Sequence, residues 1–239
     1  SIMINRGKKK VWVGFDLGGT KMMATVFDEK FKPMASAKAK TPVNEGPKAV
    51  QERIRETILA ALQESRLPVA ALAGIGVGCP GVLDLDKGLI LEAPNLGWKR
   101  VPLQALLEGW FHCRVVLSND VDAGTYGEYR FGAGKGARTL VGVFPGTGIG
   151  GGCVYDGKLL RGKTGSAMEI GHLPVRENGR LCGCGRRGCL EALAGRLAIS
   201  AEVAQAAFRG EAPFLAENGG SDVKKLKSGL LAKAIKAGD

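Results

Sequence analysis

Three clusters in this sequence have residue types and spacings that can do chemistry. The first is Asp16-Leu17-Gly18-Gly19-Thr20-Lys21. Glycine lets the backbone approach an anion closely, and successive N–H groups can cradle phosphate oxygens. Thr20 adds a hydroxyl donor and Lys21 a charge, while Asp16 is the kind of group that holds magnesium directly or through water. An ordinary Gly-Gly hairpin turn uses the same residues. A second turn, Gly146-Thr147-Gly148-Ile149-Gly150-Gly151-Gly152, is denser in glycine than a simple hairpin needs. Two phosphate-type turns far apart in the chain are more telling than either alone. Neither has the spacing of the lysine-ended phosphate loop or of the dinucleotide fingerprint.

Between the two turns stands Ser118-Asn119-Asp120, directly after an apolar run. A carboxylate at a strand end facing a cleft is well placed as a general base. A helix N-cap is the other use of Asp120, and Asp122 nearby can serve as the cap instead. In the third cluster His172 precedes Cys182-Gly183-Cys184, and Cys189 follows through a loop containing Gly185 and Gly188. Three thiols and one imidazole make a closed tetrahedral zinc set, which is structural because no position stays free for water. Three reduced thiols in a glycine-rich loop give the same pattern. Glu169 and Glu191 flank this cluster and can hydrogen-bond vicinal sugar hydroxyls, although singly such residues are ordinary surface charges. Pro80-Gly81 and Pro94-Asn95-Leu96-Gly97-Trp98 read as turns.

The elements that must position these groups follow from periodicity. Val11-Trp12-Val13-Gly14-Phe15 and Met23-Ala24-Thr25-Val26-Phe27 read as strands around the first turn, with a third extended run over 34–40. Pro47 opens a helix with Val50, Ile54, Ile58, Ala61 and Leu62 on one face. Residues 73–78 and 114–117 read as buried strands, and 103–110 as a short helix. A second strand-turn-strand unit covers 139–144 and 152–155, mirroring the first. Residues 190–207 and 222–237 read as helices. The expected architecture is α/β in two lobes, 10–117 and 118–239, each with one glycine turn facing a shared cleft.

Composition narrows the class. The chain of 239 residues is 45% hydrophobic and 24% charged, as in globular proteins, and its 37 glycines favour backbone-lined turns over aromatic platforms. A formal charge of +11 suits anionic phosphate substrates. The basic runs Arg6 to Lys10 and Lys224 to Lys227 lack interleaved aromatics for base stacking, so no nucleic-acid partner is expected. Residues 1–10 read as a polar leader. No apolar run approaches the roughly 20 residues of a membrane span. The six cysteines, three of them crowded together, do not resemble a secreted disulfide scaffold. A reducing cytoplasmic compartment is expected, with no membrane contact.

Taken together, the motifs resemble the ROK family (repressor, open reading frame, kinase). The resemblance rests on Asp16 to Lys21, Gly78-Cys79-Pro80-Gly81, Pro94 to Trp98, Asn119-Asp120, Gly146 to Gly152, Glu169-Ile170-Gly171-His172, and Cys182-Gly183-Cys184-Gly185 with Gly188-Cys189-Leu190-Glu191. These stand in family order over nearly the whole chain. The resemblance implies an actin-like, ribonuclease-H-like two-lobed sugar kinase, glucokinase first among the possibilities, using ATP, Mg2+ and a structural Zn2+. Asp120 then corresponds to the base for the sugar 6-hydroxyl, and Gly81, Asn95, Asn119, Glu169, His172 and Glu191 to sugar ligands. Asp16, Gly18, Gly19, Thr20 and Lys21, with Gly146, Thr147 and Gly148, correspond to the phosphate clamps. His172, Cys182, Cys184 and Cys189 correspond to the zinc ligands, with the second ring nitrogen of His172 towards the sugar.

Family members continue beyond the position matching Asp239, so the second lobe is expected to be incomplete at its C-terminal end. A second copy is expected to cover it in a homodimer or larger homo-oligomer. Three other readings follow from the same resemblance. One is a sugar-binding fragment without catalysis, and another is a kinase using polyphosphate. The third, a sugar-sensing repressor, is disfavoured because fifteen residues before Asp16 leave no room for a DNA-binding domain.

Overall fold

The computed structural model describes residues 10–163, 165–223 and 225–239. Residues 1–9 of the polar leader, most of the first basic run and Lys224 of the second lie outside the described residues. The chain divides into two compact units, one ending at Leu140 and the other spanning Val141–Asp239.

The first unit is organised by a five-stranded sheet. Strand β1 (Val11–Leu17) alternates buried and outward residues, sending Val11, Val13, Phe15 and Leu17 to one face. This is the period-2 pattern of a strand covered on that side. A meander continues through β2 (Lys21–Phe27) and β3 (Pro33–Lys40), both pairings antiparallel. Helix α1 (Pro47–Glu64) has Pro47 in its first turn, where the missing N–H costs nothing. Its buried stripe of Val50, Ile54, Ile58, Ala61 and Leu62 is the one periodicity predicts, and it packs on β2 and β3. The chain then returns to the other edge of β1 as β4 (Leu72–Cys79), parallel to it.

A small antiparallel sheet follows, made of β5 (Val82–Asp84), β6 (Leu89–Ala93) and β7 (Trp98–Val101). Sequence periodicity does not reveal it, because strands of 3, 5 and 4 residues are too short to carry an alternation. Gly81 enters this sheet at φ 95°, and a side chain there would land on the Glu92 carbonyl oxygen. Strain of about 1–3 kcal/mol from the backbone conformation alone predicts that Gly81→Ala lowers the melting temperature by about 3–10 °C. Calorimetry checks this, and an unchanged melting temperature contradicts it.

Helix α2 (Leu103–Phe111) buries Leu103, Leu107 and Phe111 and leads to β8 (Arg114–Asn119), which pairs in parallel with β4. The sheet order is therefore β3-β2-β1-β4-β8. Helix α3 (Asp120–Phe131) packs on β4 and β8. Because β8 and α3 are integral to this sheet, the division falls at Leu140 and Val141, later than the expected break at Ser118.

The second unit holds a three-stranded sheet ordered β11-β10-β9, from β9 (Thr139–Pro145), β10 (Ile149–Tyr155) and β11 (Lys158–Leu159). Where one helix was expected over 190–207 there are two, α4 (Leu190–Ala194) and α5 (Arg196–Phe208). Gly195 separates them in extended backbone, φ −66° and ψ 150°. Helix α6 (Pro213–Glu217) precedes α7 (Ser228–Ala237), which starts later than the 222 expected. The polar stretch before it offers only Leu226 to the core, so nothing there drives a helix face inward. Ala204, Ala207, Ala212, Leu215, Leu226 and Ala234 form the small core of these helices.

Candidate active site

Strands β1, β4 and β8 run parallel, and their carboxyl ends lie together. Asp16 is in register with Gly78, and Gly78 with Ser118. In open α/β sheets ligands bind outside such strand ends. The first glycine turn leaves β1 at this end, closed by the Gly18 N–H donating to the Lys21 carbonyl at 3.0 Å. Thr41 braces it, its hydroxyl donating to the Gly18 carbonyl at 2.6 Å and its N–H to the Thr20 carbonyl at 3.0 Å. Asn95 lies against Gly19, where a β-carbon would stand 3.0 Å from the Asn95 carbonyl oxygen. Thr41 was not legible as a supporting residue, since a lone threonine after a strand carries no pattern.

Asn119 caps α3: its Oδ1 accepts the N–H of Val121 at 3.0 Å and of Asp122 at 3.4 Å. The cap role open to Asp120 or Asp122 is thus taken by their neighbour. Asp120 is the first residue of the helix, and its Oδ1 accepts the Val121 N–H at 2.9 Å. Its carboxylate reaches solvent, yet crowding by protein raises its pKa above the ordinary 3.8. The N–H groups of Val121 and of Asp120 itself oppose that rise, while the charges of Asp16 and Asp122 add to it. Cys79 beneath them is inert, its thiol pushed up to about 12 by burial, with the Asp120 charge adding.

In the second unit the donor atoms of His172, Cys182, Cys184 and Cys189 all lie within 4.8 Å of one another. Cys182 Sγ is 3.6 Å from His172 Nδ1, and Cys184 Sγ is 3.7 Å from Cys189 Sγ. The Arg186 backbone N–H holds the Cys184 thiol down to about 6. This set can hold a metal ion. The other ring nitrogen of His172, Nε2, faces Glu169 at 4.0 Å. Glu191, on α4, joins this cluster to the second glycine turn. Its Oε1 is 3.9 Å from Cys182 Sγ, and its Oε2 accepts the Ile149 N–H at 2.9 Å. A side chain at Gly148 would meet that carboxylate and push Glu191 aside. Thr147 receives a hydrogen bond from Arg196 Nη2 at 2.9 Å. Arg196 had no signal in the sequence beyond its place in a predicted helix.

Asp16, Gly18 to Lys21, Asn95, Asn119 and Asp120 thus gather in the first unit, with Gly81 at the start of the small sheet. Glu169, His172, Glu191, the three cysteines and Gly146 to Gly148 gather in the second.

Residues 12–229 match the model of the ROK family. The chain belongs to the ROK family. Among ROK proteins it is 37% identical over 187 residues to a glucokinase of Streptomyces coelicolor, covering 78% of this chain and 57% of that protein. It is 40% identical over 188 residues to a glucokinase of Thermotoga maritima, covering 78% of this chain and 58% of that one. The chain therefore spans somewhat over half the length of these relatives. A crystal structure of a ROK glucokinase from Streptomyces griseus, in complex with glucose and AMPPNP, superposes with a TM-score of 0.78 at 33% identity. That superposition covers 96% of this chain and 72% of the other. The ROK fold is the actin-like one that the resemblance implies. Among the described residues no helix is long and apolar enough to cross a membrane.

Proposed function

We propose that this chain transfers the γ-phosphate of ATP to the 6-hydroxyl of a hexose, with glucose the preferred sugar. The observation that carries this is Asp120: a carboxylate of raised pKa, at the head of α3, at the same strand ends as a glycine turn with its own lysine. A general base needs that combination of access and basicity. In the proposed step the Asp120 carboxylate takes the proton of the 6-hydroxyl while the sugar 6-oxygen bonds to the γ-phosphorus and ADP leaves. Gly81, Asn95, Asn119, Glu169, His172 and Glu191 bind the sugar. The turns around Gly18-Gly19-Thr20 and Gly146-Thr147-Gly148 hold the phosphates. Asp16 fits the magnesium that would neutralise phosphate charge, since it is an exposed carboxylate beside the first turn.

The four-donor cluster fits zinc. Tetrahedral bonds of about 2.0–2.3 Å imply ligand separations of about 3.3–3.8 Å, and two of the donor pairs stand at 3.6 and 3.7 Å. There the ion would act as a structural tie that orients His172. Three thiols converging in one such site also support a reducing cytoplasm. The exposed Phe208 and Ile235 support association between copies of the chain, which light scattering would read. The scattered charge supports phosphate substrates over nucleic acid.

A coupled assay of ADP release with ATP, magnesium and a panel of hexoses tests the proposal. Turnover that depends on sugar and is strongest with glucose is the expected result. Sugar binding without turnover would favour a sugar-binding role instead. Turnover with polyphosphate in place of ATP would move the donor assignment, which the charge of +11 leaves open.

A further inference from the structure

The two glycine turns differ in one respect. The first carries its own cation, Lys21, whereas residues 146–152 contain no charged side chain. The second turn is met instead by the start of α5. Arg196 Nη2 donates to Thr147 Oγ1 at 2.9 Å. The Arg196 backbone N–H donates to the Gly146 carbonyl at 3.0 Å, and the Leu197 N–H to the Thr147 carbonyl at 3.3 Å. The two backbone bonds seat the start of α5 on the turn, and the third holds the guanidinium to Thr147.

A threonine hydroxyl has one proton to donate and lone pairs to accept. With Arg196 donating to it, the Thr147 oxygen must spend its own proton elsewhere, and Thr147 is exposed to solvent. Arg196 is exposed too and spends one of its five N–H donors on Thr147. Among the described residues, no carboxylate lies within ion-pair distance of it. Glu191, the nearest acidic neighbour in the chain, is committed to the Ile149 N–H. The result is an outward hydroxyl donor with an unneutralised, geometrically held cation beside it. Such a pair recognises a phosphate oxygen.

We infer that Arg196 is the phosphate-positioning residue of the second turn: it aims the Thr147 hydroxyl at the terminal phosphates of a nucleoside triphosphate and supplies the charge that the turn lacks. This rests on the reading of the chain as a kinase with two phosphate turns. In that reading Arg196 is the counterpart of Lys21, delivered from a helix instead of from the loop itself.

Calorimetric titration with AMPPNP, inorganic tripolyphosphate and adenosine tests the inference without turnover. Arg196→Met should weaken AMPPNP and tripolyphosphate by about tenfold, the range of one charge-assisted hydrogen bond. Adenosine and glucose affinities should stay unchanged. Arg196→Lys should recover part of the loss, and Thr147→Val combined with Arg196→Met should cost less than the two single losses multiplied. Circular dichroism melts identify any variant that fails to fold, and the lysine variant then carries the comparison. AMPPNP affinity unchanged in Arg196→Met overturns the inference. So does equal weakening of adenosine, because that would mark a general loss of structure. If the unaltered chain binds AMPPNP but phosphorylates no hexose, the kinase reading falls while the titrations still decide Arg196. If it binds no triphosphate at all, both fall.

Discussion

Replacing Asp120 with asparagine should lower hexose phosphorylation by about 10³-fold or more, near the upper range for loss of a general base, while glucose still binds within about tenfold of the unaltered chain. Asparagine keeps the size and the acceptor oxygen of Asp120, so the contact with the Val121 N–H survives. What it loses is the capacity to take a proton. The raised pKa gives this prediction a second, independent readout. A carboxylate whose folded pKa lies above its ordinary 3.8 binds its proton more tightly in the fold than in the unfolded chain. The stability this proton contributes is complete below about pH 4 and is lost as pH rises through the folded value. At neutral pH the ionised group is therefore a net cost to the fold, and Asp120→Asn should melt no lower than the unaltered protein. The same shift should displace the acid limb of the activity profile upward from the ordinary carboxylate range, because activity needs the deprotonated form. Turnover equal to the unaltered chain would remove Asp120 from the chemistry. A collapse in melting temperature would assign it a structural role.

Most of the first unit was legible because its elements announce themselves by period. The apolar alternation of β1 and the stripe from Val50 to Leu62 in α1 are burial patterns that one sequence can carry by itself. The strands from Val82 to Val101 stayed hidden for the opposite reason: each is shorter than the period needed to recognise it. The helix read over 190–207 failed at one residue. Alanines and leucines continue across Gly195, and what stops the helix is its approach to the second glycine turn, where the Arg196 N–H bonds to the Gly146 carbonyl. Long-range contacts of that kind leave no local trace.

The candidate site shows the same asymmetry. Groups proposed to act through their own chemistry, such as Asp120 and the cluster of His172 with three cysteines, stood out by residue type and spacing. Groups that act by holding others did not. Thr41 bracing Gly18, Asn119 capping α3 and Arg196 on Thr147 are identified only by whom they touch. Glu191 falls in between: its type suggested a sugar ligand, and its contacts add a second duty, since one carboxylate oxygen holds the Ile149 N–H while the other faces Cys182. That bridge means the His/Cys cluster and the second glycine turn share a side chain.

The shared side chain sets the expected result of removing the proposed metal. Cys184→Ser should release the bound ion, read by elemental analysis as a loss approaching one equivalent per chain, and should weaken glucose binding by about 10–100-fold, the range found when the support of a liganding histidine is lost. Three of the four donors sit in the stretch from Cys182 to Cys189, where Leu181 and Arg187 form an isolated bridge and Cys184 Sγ meets Cys189 Sγ at 3.7 Å. Replacing Cys184 removes that contact and leaves three donors where a closed tetrahedral set needs four. His172 then keeps only the 3.6 Å contact of its Nδ1 with Cys182, so the direction of its Nε2 toward Glu169 is held less firmly. Hydrogen exchange should accelerate over residues 172–189 first and reach Ile149 through Glu191, while the sheet of the first unit keeps its protection. Exchange that rises uniformly across both units would mean the ion supports the whole chain. Metal content and glucose affinity both unchanged would strike the cluster from the site.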